Sequence, residues 1–411
     1  MKSCKRCLYT DYHPLNSLIG DDGLCSGCRI HEEKDLLNWE ERKDKLKDIL
    51  HTYRNKNENN YDCIIPVSGA RDSYFIVHTV KNVLGMNPLL VTYNKHYNTA
   101  VGIRNLANLR IQFDCDLMTL TVDPNKVKKI TRSTLRRFGS IYWHCIAGQT
   151  VFPVQVAVKF KIPLIIWGAH QGLDQVGMYS HLNEVEMTRK YRKEHDLMGY
   201  EAEDLLDNEY DFIREEDILP FVYPDDREIE QIGVRGIYLN NYIRWDSRTQ
   251  HEEMIELYGY ETANQNRSFD TYNDVDCWMY NDVHDYLKWL KHGYGKALDQ
   301  ACREIRLGHM SRESGKELVN KYMFKEPENL GMFLNWLGIT RNAFDYLVDE
   351  HRNPKFWKRS DDWSWEYLPY LNEPESKDSF EVRKPYTPFI QGPVGKSQDD
   401  SDKFILIGKG K

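Results

Sequence analysis

The sequence predicts an α/β fold: a doubly wound parallel sheet, preceded by a four-cysteine zinc ribbon and followed by a helical C-terminal region. Two C-x2-C pairs open the chain, and short apolar runs then alternate with stretches of helical periodicity between residues 61 and 180. Such alternation is typical of parallel sheets whose strands are joined by helices. Beyond about residue 180 the pattern becomes helical and charged, which indicates a region outside the sheet.

The first predicted element is the zinc ribbon, residues 1–33. Cys4 and Cys7 are separated by two residues, as are Cys25 and Cys28, and seventeen residues lie between the pairs. This spacing is typical of four thiolates around one structural Zn²⁺. An iron–sulfur cluster is an alternative for the same ligands. Two disulfides are a weaker alternative, because nothing in the sequence indicates secretion.

Three further regions follow the ribbon. Residues 34–60 are predicted to be a connecting helix and a polar linker, because leucine and isoleucine recur at helical spacing before the polar run. The α/β core, 61–180, has strand candidates at 63–67, 88–93, 116–122 and 163–167, and helix candidates at 72–84, 100–110, 125–138 and 150–160. The remaining chain divides into a helical substrate-binding region, 181–350, and a peripheral C-terminal segment, 351–411.

The stretch YDCIIPVSGARDS carries the strongest functional signal. An apolar strand ends in Ser68-Gly69-Ala70, and a helix begins near Asp72. Backbone N–H groups at such a turn point to one spot, where the helix dipole also favours an anion. Ser68 and Ser73 can donate to phosphate oxygens, and Asp72 can hold a metal ion. The stretch therefore predicts a phosphate-binding turn, with an ordinary capped strand–turn–helix connection as the alternative.

A second candidate site is WGAHQGLDQVG, which directly follows the strand candidate 163–167. Trp167 and Gly168 lie at the carboxyl end of that strand, and parallel sheets bind ligands at this edge. His170 and Asp174 could contact nucleotide, metal or acceptor. For His170, a buried structural histidine is an equal alternative.

The third candidate site is a helix near residue 300. Asp299, Arg303 and Arg306 fall on one helical face, one turn after Lys296. The three basic residues are suited to binding the diphosphate of a sugar nucleotide. Ion pairs within the helix are the alternative.

Composition restricts the compartment and the partners. The chain has 411 residues, 41% of them hydrophobic, which supports a sizeable globular core. No apolar run is long enough to span a bilayer, and no signal peptide is evident, so we expect a cytoplasmic protein without membrane insertion. The net charge of −8 argues against a nucleic-acid partner.

The SGARDS turn resembles the SGGxDS signature of PP-loop ATP pyrophosphatases, with Ala70 at the usual second glycine. The ribbon, this turn and four further segments together are similar to the N-acetyl sugar amidotransferase family of surface-polysaccharide biosynthesis. The segments are WGAHQGLDQVGM, EMTRKYRKEHDLMG, GVRGIYLNNYIRWDS and HDYLKWLKHGYGKALDQACREIRLG. The resemblance extends over roughly residues 1–350.

The resemblance implies an ATP-dependent enzyme with a sheet of PP-loop type. Such an enzyme adenylates the acetamido oxygen of a nucleotide-linked N-acetyl sugar, releasing pyrophosphate. It then replaces the oxygen with ammonia, which a separate glutaminase subunit supplies, and AMP leaves. The acetamidino sugar is used for lipopolysaccharide or related surface glycans.

The resemblance also implies that Ser68, Gly69, Asp72 and Ser73 hold the ATP phosphates, with Mg²⁺ on Asp72. Ala70 and Arg71 complete the expected ATP-binding turn, and Trp167 and Gly168 are expected beside it because of their place at the end of the strand 163–167. Asp72, Arg71, His170 and Asp174 are the expected catalytic residues. Two alternatives remain: a PP-loop tRNA sulfur-transfer enzyme, which would need a cysteine set in its core and a basic RNA surface, and a non-catalytic nucleotide-binding relative, which Ala70 alone suggests.

Overall fold

The computed structural model describes residues 2–15, 18–55, 59–206 and 212–368. Most of the predicted peripheral segment, from residue 369 onward, therefore lies outside the described residues. The strands are β1 (Cys63–Pro66), β2 (Pro88–Tyr93), β3 (Leu117–Leu120), β4 (Leu164–Trp167), β5 (Arg235–Tyr238), β6 (Trp357–Arg359) and β7 (Trp365–Tyr367). The last two form a separate antiparallel pair.

Helices account for most of the remaining described chain. The α-helices are α1 (Ser26–Leu36), α2 (Trp39–Tyr53), α3 (Arg71–Val77), α4 (Ala100–Gln112), α5 (Pro124–Phe138), α6 (Trp143–Phe160), α7 (Arg189–Tyr191), α8 (Glu215–Ile218), α9 (Asp226–Ile232), α10 (Ser247–Tyr258), α11 (Asp285–His292), α12 (Lys296–Arg306), α13 (Arg312–Met323), α14 (Leu330–Leu337) and α15 (Arg341–Asp349). Segments of π-helix are His78–Val83, Gly172–Val176, Arg192–Asp196 and Tyr280–His284, and 3₁₀ segments are His181–Asn183, Glu203–Leu205, Leu219–Phe221 and Leu239–Asn241.

The central sheet has five parallel strands in the order β3-β2-β1-β4-β5. Ile64 of β1 is paired with Leu89 on one side and with Ile165 on the other. The chain moves outward from β1 to β3 and then returns to place β4 beside β1, so the direction of winding changes between β1 and β4. The predicted parallel α/β sheet is confirmed. Its fifth strand, β5, lies in the stretch for which the sequence predicts only helices.

Alternate residues of β1 pack on opposite faces of the sheet, as the period of a strand requires. Ile64 lies in a buried cluster with Val154 of α6, on one face. Ile65 lies in another buried cluster with Tyr74 and Val77 of α3, on the other face. Helices therefore cover both faces, which is the arrangement expected of a doubly wound sheet.

The N-terminal cysteines and the C-terminal helices share one hydrophobic cluster. Cys4 and Cys7 lie in it together with Leu298 of α12 and Val319 of α13.

The predicted connecting helix is α2, and Asn38 separates it from α1. The Asn38 side chain caps α2 by accepting a hydrogen bond from the N–H of Glu41, 3.2 Å away.

Across the described ranges, none of the helices combines the length and the apolar character that a bilayer span requires.

Candidate active site

A polar cavity of about 110 Å³ lies where the winding of the sheet changes direction. The turn after β1 and the segment after β4 both reach it, as expected for a ligand crevice at the carboxyl ends of parallel strands. The opposite wall is formed by α12 and by the loop between α10 and the π-helical segment Tyr280–His284. The lining residues are Ala70, Arg71, Asp72, Gln171, Gln175, Asn273, Asp274, Lys296, Asp299, Gln300 and Arg303.

In the turn after β1, position 69 requires glycine and position 70 does not. Gly69 has a φ of +81°, and a Cβ placed on it would lie 2.8 Å from the carbonyl oxygen of Gly102. Ala70 has a φ of −84° and a ψ of 167°, an extended conformation that any residue adopts. An alanine at the second glycine position of the SGGxDS signature therefore causes no backbone strain. Backbone strain at Ala70 therefore does not support the alternative of a turn unable to bind nucleotide.

The two serine hydroxyls of this turn accept hydrogen bonds from its own backbone. Ser73 Oγ accepts from the N–H of Ser68 at 3.0 Å, and Ser68 Oγ accepts from the N–H of Ala70 at 3.3 Å. A hydroxyl that accepts still has its own hydrogen to donate. The turn is thus held in shape by the same side chains that were predicted to donate to phosphate.

Arg71 and Asp72 form the cavity side of α3. Arg71 is buried, its Nη1 lies 2.8 Å from Asp72 Oδ1, and its Nε donates to Asn273 Oδ1. Asp72 is 36% exposed, so its carboxylate remains accessible to an ion. Because Mg²⁺ is usually bound by one or two carboxylates together with substrate phosphates, Asp72 fits a magnesium ligand.

Asp174 is a buried counter-ion and not a cavity residue. Its Oδ1 lies 2.9 Å from Lys34 Nζ, and its Oδ2 lies 3.6 Å from Arg303 Nε. Burial by itself would raise the pKa of Asp174, but the two cations outweigh burial and lower it well below its usual value. The carboxylate stays ionised and holds Arg303 from behind.

His170 is buried among tyrosine rings and does not line the cavity. Its Nδ1 accepts from the N–H of Gly172 at 3.0 Å, and its ring lies 4.4 Å from Tyr191 and 4.7 Å from Tyr238, centre to centre. Burial lowers its pKa to about 3, so the imidazole is neutral. This geometry favours the structural alternative over a catalytic role.

Trp167 and Gly168 also lie outside the cavity lining. A Cβ on Gly168 would lie 2.8 Å from Ile76 Cδ1, so glycine there permits close packing of the segment against α3. The centre of the Trp167 ring lies 6.5 Å from the centre of the Tyr238 ring. The structure therefore gives these two residues packing contacts, and their predicted contact with ATP rests on sequence alone.

Of the three basic residues predicted on α12, two reach the cavity. Lys296 is buried and donates through Nζ to Gln265 and Asn281, and burial lowers its pKa although Asp274 partly opposes the shift. Arg303 Nη2 donates to Gln175 Oε1 at 2.9 Å. Arg306 instead places Nη2 3.6 Å from the Sγ atoms of both Cys7 and Cys25.

Several residues of the cavity wall were not predicted from the sequence, chiefly Asn273, Asp274 and Gln300. Asp274 has a φ of +55°, uncommon for a residue other than glycine, and burial raises the pKa of its carboxyl. The available signal was the polar run from Asp270 to Asp276, which reads DTYNDVD. A run of this composition also suits an ordinary turn, so it does not by itself point to a ligand.

The predicted four-cysteine cluster exists. The sulfur atoms of Cys4, Cys7, Cys25 and Cys28 all lie within 4.8 Å of one another, with Cys4–Cys28 at 3.7 Å and Cys7–Cys25 at 3.5 Å. Four sulfurs about 2.3 Å from a tetrahedral Zn²⁺ are separated by roughly this distance. The donor set and its geometry fit zinc in a closed, structural site.

Two comparisons with known proteins bear on this chain. Residues 266–372 match the family described as LPS biosynthesis protein WbpG-like, C-terminal domain. A stretch of 122 residues is 29% identical to an uncharacterized protein of Methanocaldococcus jannaschii. That stretch covers 29% of this chain and 43% of the relative, so the chain spans less than half the length of this relative. The family match includes α12 and the Asn273–Asp274 wall, and it links this part of the chain to proteins of lipopolysaccharide biosynthesis.

Proposed function

We propose that this protein is an ATP-dependent amidotransferase acting on a nucleotide-linked N-acetyl sugar for lipopolysaccharide or a related surface glycan. One observation carries the proposal. The turn after β1 lines the same cavity as Lys296 and Arg303, which belong to the region matching a lipopolysaccharide-biosynthesis domain. A phosphate-binding turn and a sugar-nucleotide region would have to meet in this way for ATP to activate a sugar.

The reaction explains why ATP is required. An amide carbonyl is a poor electrophile, and its oxygen is a poor leaving group. In the first step the acetamido oxygen attacks the α-phosphorus of ATP, the bond to the β-phosphate oxygen breaks, and pyrophosphate leaves. In the second step ammonia adds to the imidate carbon, a proton is lost, and AMP departs with the former amide oxygen. The product carries an acetamidino group.

The cavity residues are suited to the charge that develops in the first step. At about 110 Å³ the cavity is smaller than pockets that enclose whole ligands, about 300–1,000 Å³. We therefore assign phosphate groups to it, with the nucleosides and the sugar outside. Arg71 and the backbone N–H groups of the turn would stabilise the leaving pyrophosphate. Asp72 would hold Mg²⁺, which supplies further charge neutralisation.

The second anionic group belongs on the opposite wall. Lys296 is buried, with 4% of the residue exposed, and the Arg303 side chain is 14% exposed. Cations held in a site shielded from water interact strongly with phosphate oxygens. We assign them to the diphosphate or the single phosphate of the nucleotide sugar.

The experiment that tests this function uses the full chain with ATP, Mg²⁺, ammonium and a panel of N-acetylated UDP- and CMP-sugars. Mass spectrometry should detect a product lighter by the difference between an oxygen atom and an NH group. AMP should appear in equal amount. Formation of neither product nor AMP with any sugar of the panel would contradict the proposal.

A variant and a partner assay refine this test. Asp72→Asn should abolish both AMP and product without lowering the unfolding temperature, because its amide oxygen can still accept from Arg71 but lacks the charge that would hold Mg²⁺. We expect the purified chain to use ammonium alone, and glutamine only with a separate glutaminase subunit. Rapid glutamine hydrolysis by the chain alone would contradict that part. Salt-dependent retention of tRNA, with sulfur transfer, would instead favour the tRNA-modifying alternative.

A further inference from the structure

The cysteine cluster and the cavity contact opposite sides of one short segment, Gly172–Val176. On the cluster side, Ser26 Oγ donates to the carbonyl oxygen of Val176 at 2.8 Å. The next residue, Gly177, approaches the ribbon so closely that a Cβ on it would lie 2.3 Å from the carbonyl carbon of Ser26. On the other side, Gln175 lines the cavity. The segment therefore cannot move without disturbing both sites.

Gln175 makes hydrogen bonds with all of its polar side-chain atoms. Its Oε1 accepts from Arg303 Nη2 at 2.9 Å and from Nε at 3.2 Å. Its Nε2 donates to the hydroxyl of Tyr9 at 2.5 Å and to the carbonyl oxygen of Asp299 at 2.9 Å. The side chain is only 6% exposed. It thus joins a cavity cation to a ribbon residue that lies two positions after Cys7.

Arg306 completes the connection to the cysteines. Its Nη1 donates to the carbonyl oxygen of Gln175 at 2.5 Å, and its Nη2 lies 3.6 Å from the sulfurs of Cys7 and Cys25. Its guanidinium carbon lies 4.9 Å from the centre of the Tyr9 ring. Arg306 and Tyr9 therefore bind Gln175 from the cluster side and fix its backbone and its amide together.

We infer that Gln175 is a positioning residue through which the metal-loaded cysteine cluster holds Arg303 in place to bind an anion. The inference rests on the proposed function in one respect, that the cavity takes phosphate groups. An arginine side chain loses rotamer entropy when it is immobilised, and a partner that fixes it beforehand removes this cost from binding. The cluster would then determine affinity at a cavity that it does not touch.

The first test compares Gln175→Met with Gln155→Met in the zinc-loaded full chain. Gln155 is a suitable control because its amide also donates to two backbone oxygens, those of Pro220 and Val222, but away from the cavity. Both variants should retain the metal. Calorimetry with Mg²⁺ and inorganic pyrophosphate should show affinity reduced about 2- to 30-fold in Gln175→Met, the range typical of residues that couple sites. Gln155→Met should bind as the wild type does.

A double-mutant cycle separates positioning from general support of the fold. If Gln175 acts through Arg303, then Gln175→Met should add little to the loss already caused by Arg303→Ala. An equal further loss in the Arg303→Ala background would overturn the inference. Should Gln175→Met fail to fold, Tyr9→Phe serves instead. It removes the hydroxyl that accepts from Gln175 and donates to Asp299, and its effect should likewise be lost in the Arg303→Ala background.

Hydrogen exchange provides a readout independent of ligand. Removing the metal with a chelator should accelerate amide exchange in residues 170–177 and 296–306, and Gln175→Met should do the same with the metal present. Faster exchange confined to residues 2–36 would overturn the inference. If wild-type protein binds neither pyrophosphate nor ATP, the proposed function fails, but the exchange comparison still decides whether the cluster positions α12.

Discussion

Gly69 is the residue of the turn after β1 whose backbone conformation is restricted to glycine. A side chain at φ +81° would be strained, and its Cβ would lie 2.8 Å from the carbonyl oxygen of Gly102 in α4. Ala70 has an ordinary extended backbone. The two positions therefore differ in what they tolerate, although both are glycines in the signature that this turn resembles.

A substitution at Gly69 should destabilise the protein more than a substitution at Ala70. Gly69→Ala should lower the free energy of unfolding by about 1–3 kcal/mol, the usual cost of a strained backbone, and should weaken ATP binding. Ala70→Gly should cost at most about 1 kcal/mol, through the entropy of the unfolded chain. Urea unfolding and calorimetric ATP titration of both variants measure this. Equal effects of the two changes would contradict the assigned backbone conformations.

The ion pair between Lys34 and Asp174 is the buried contact that joins the ribbon helix α1 to the segment after β4. The Lys34 side chain is 3% exposed and that of Asp174 is 6% exposed. Because the pKa of Asp174 is lowered in the folded protein, its contribution to stability is complete above the unfolded pKa, about 3.9. That contribution is lost as the pH falls toward the folded pKa.

Replacing Lys34 should therefore destabilise the protein in a manner that depends on pH. Lys34→Met should cost about 3–5 kcal/mol at neutral pH, because it leaves a buried carboxylate with only Arg303 nearby. The difference from wild type should shrink as the pH falls below about 3.9, the unfolded pKa, because the wild-type protein then loses the stability that the ionised Asp174 contributes. Urea unfolding at pH 7 and near pH 3.5, with metal content checked, measures this. A difference independent of pH would mean that Lys34 acts through packing alone.

At the scale of elements, α6 packs unusually closely on β2. Gly148 of α6 faces the ring of Tyr93, and a Cβ on the glycine would lie 2.4 Å from Tyr93 Cδ2. Tyr93 also donates to or accepts from His144 of the same helix at 3.0 Å. The absence of a side chain at residue 148 is what allows this helix to cover the face of the sheet.

Adding a methyl group at this contact should separate the helix from the strand. Gly148→Ala should lower stability by about 1–3 kcal/mol, the cost of overpacking a core, despite the better helix propensity of alanine. Gly331→Ala in α14 is the matched control, since a Cβ there meets no atom within 4 Å. It should leave stability unchanged or raise it by up to about 1 kcal/mol. Thermal unfolding distinguishes the two, and a stabilising Gly148→Ala would refute the contact.

One helix of the predicted core departs from its expected form. The pattern of residues 72–84 predicts a single helix, but the structure has α3 followed by the π-helical segment His78–Val83. A π-helical turn shifts the buried face by one residue, and Thr79 and Val80 are buried there. Hydrophobic periodicity cannot distinguish the two forms over one or two turns.

At the scale of the whole molecule, the cysteine cluster belongs to the same core as the C-terminal helices. Cys4, Cys7, Cys25 and Cys28 pack in one hydrophobic cluster with residues from α12 to β6. Cys302 lies beside them, and its Sγ accepts from the N–H of Leu8 at 3.4 Å. The metal is therefore expected to stabilise the region matched by the family and not merely the first 33 residues.

Removing one ligand should show this. Cys4→Ser should abolish stoichiometric metal and lower the unfolding temperature, because zinc binding to such sites is worth about 10–16 kcal/mol in small peptides. Cys302→Ser should retain one metal per chain, since Cys302 is outside the four-sulfur set. Elemental analysis and thermal unfolding measure both effects, and a colourless protein identifies zinc in preference to an iron–sulfur cluster. Equal metal loss in both variants would contradict the assignment of ligands.

Features that local patterns encode could be predicted from the sequence. The strands β1, β2, β3 and β4 lie within the predicted apolar runs, because a buried parallel strand is a continuous hydrophobic stretch. The four cysteines were identifiable from spacing, because two-residue gaps suit one metal ion. The glycine turn after β1 was also identifiable, because its characteristic residue types occur together within six consecutive positions.

Features that depend on contacts between residues far apart in the chain could not be predicted in this way. The strand β5 has the sequence RGIY, in which arginine and glycine interrupt the apolar run expected of a buried strand, and it is held by pairing with β4. The side chains of Arg303 and Arg306 lie on one helix, yet one lines the cavity and the other contacts sulfur. Periodicity gives the face of a helix but not its neighbours. The second cavity wall, and the role of Gln175 between two sites, follow from packing that no local pattern contains.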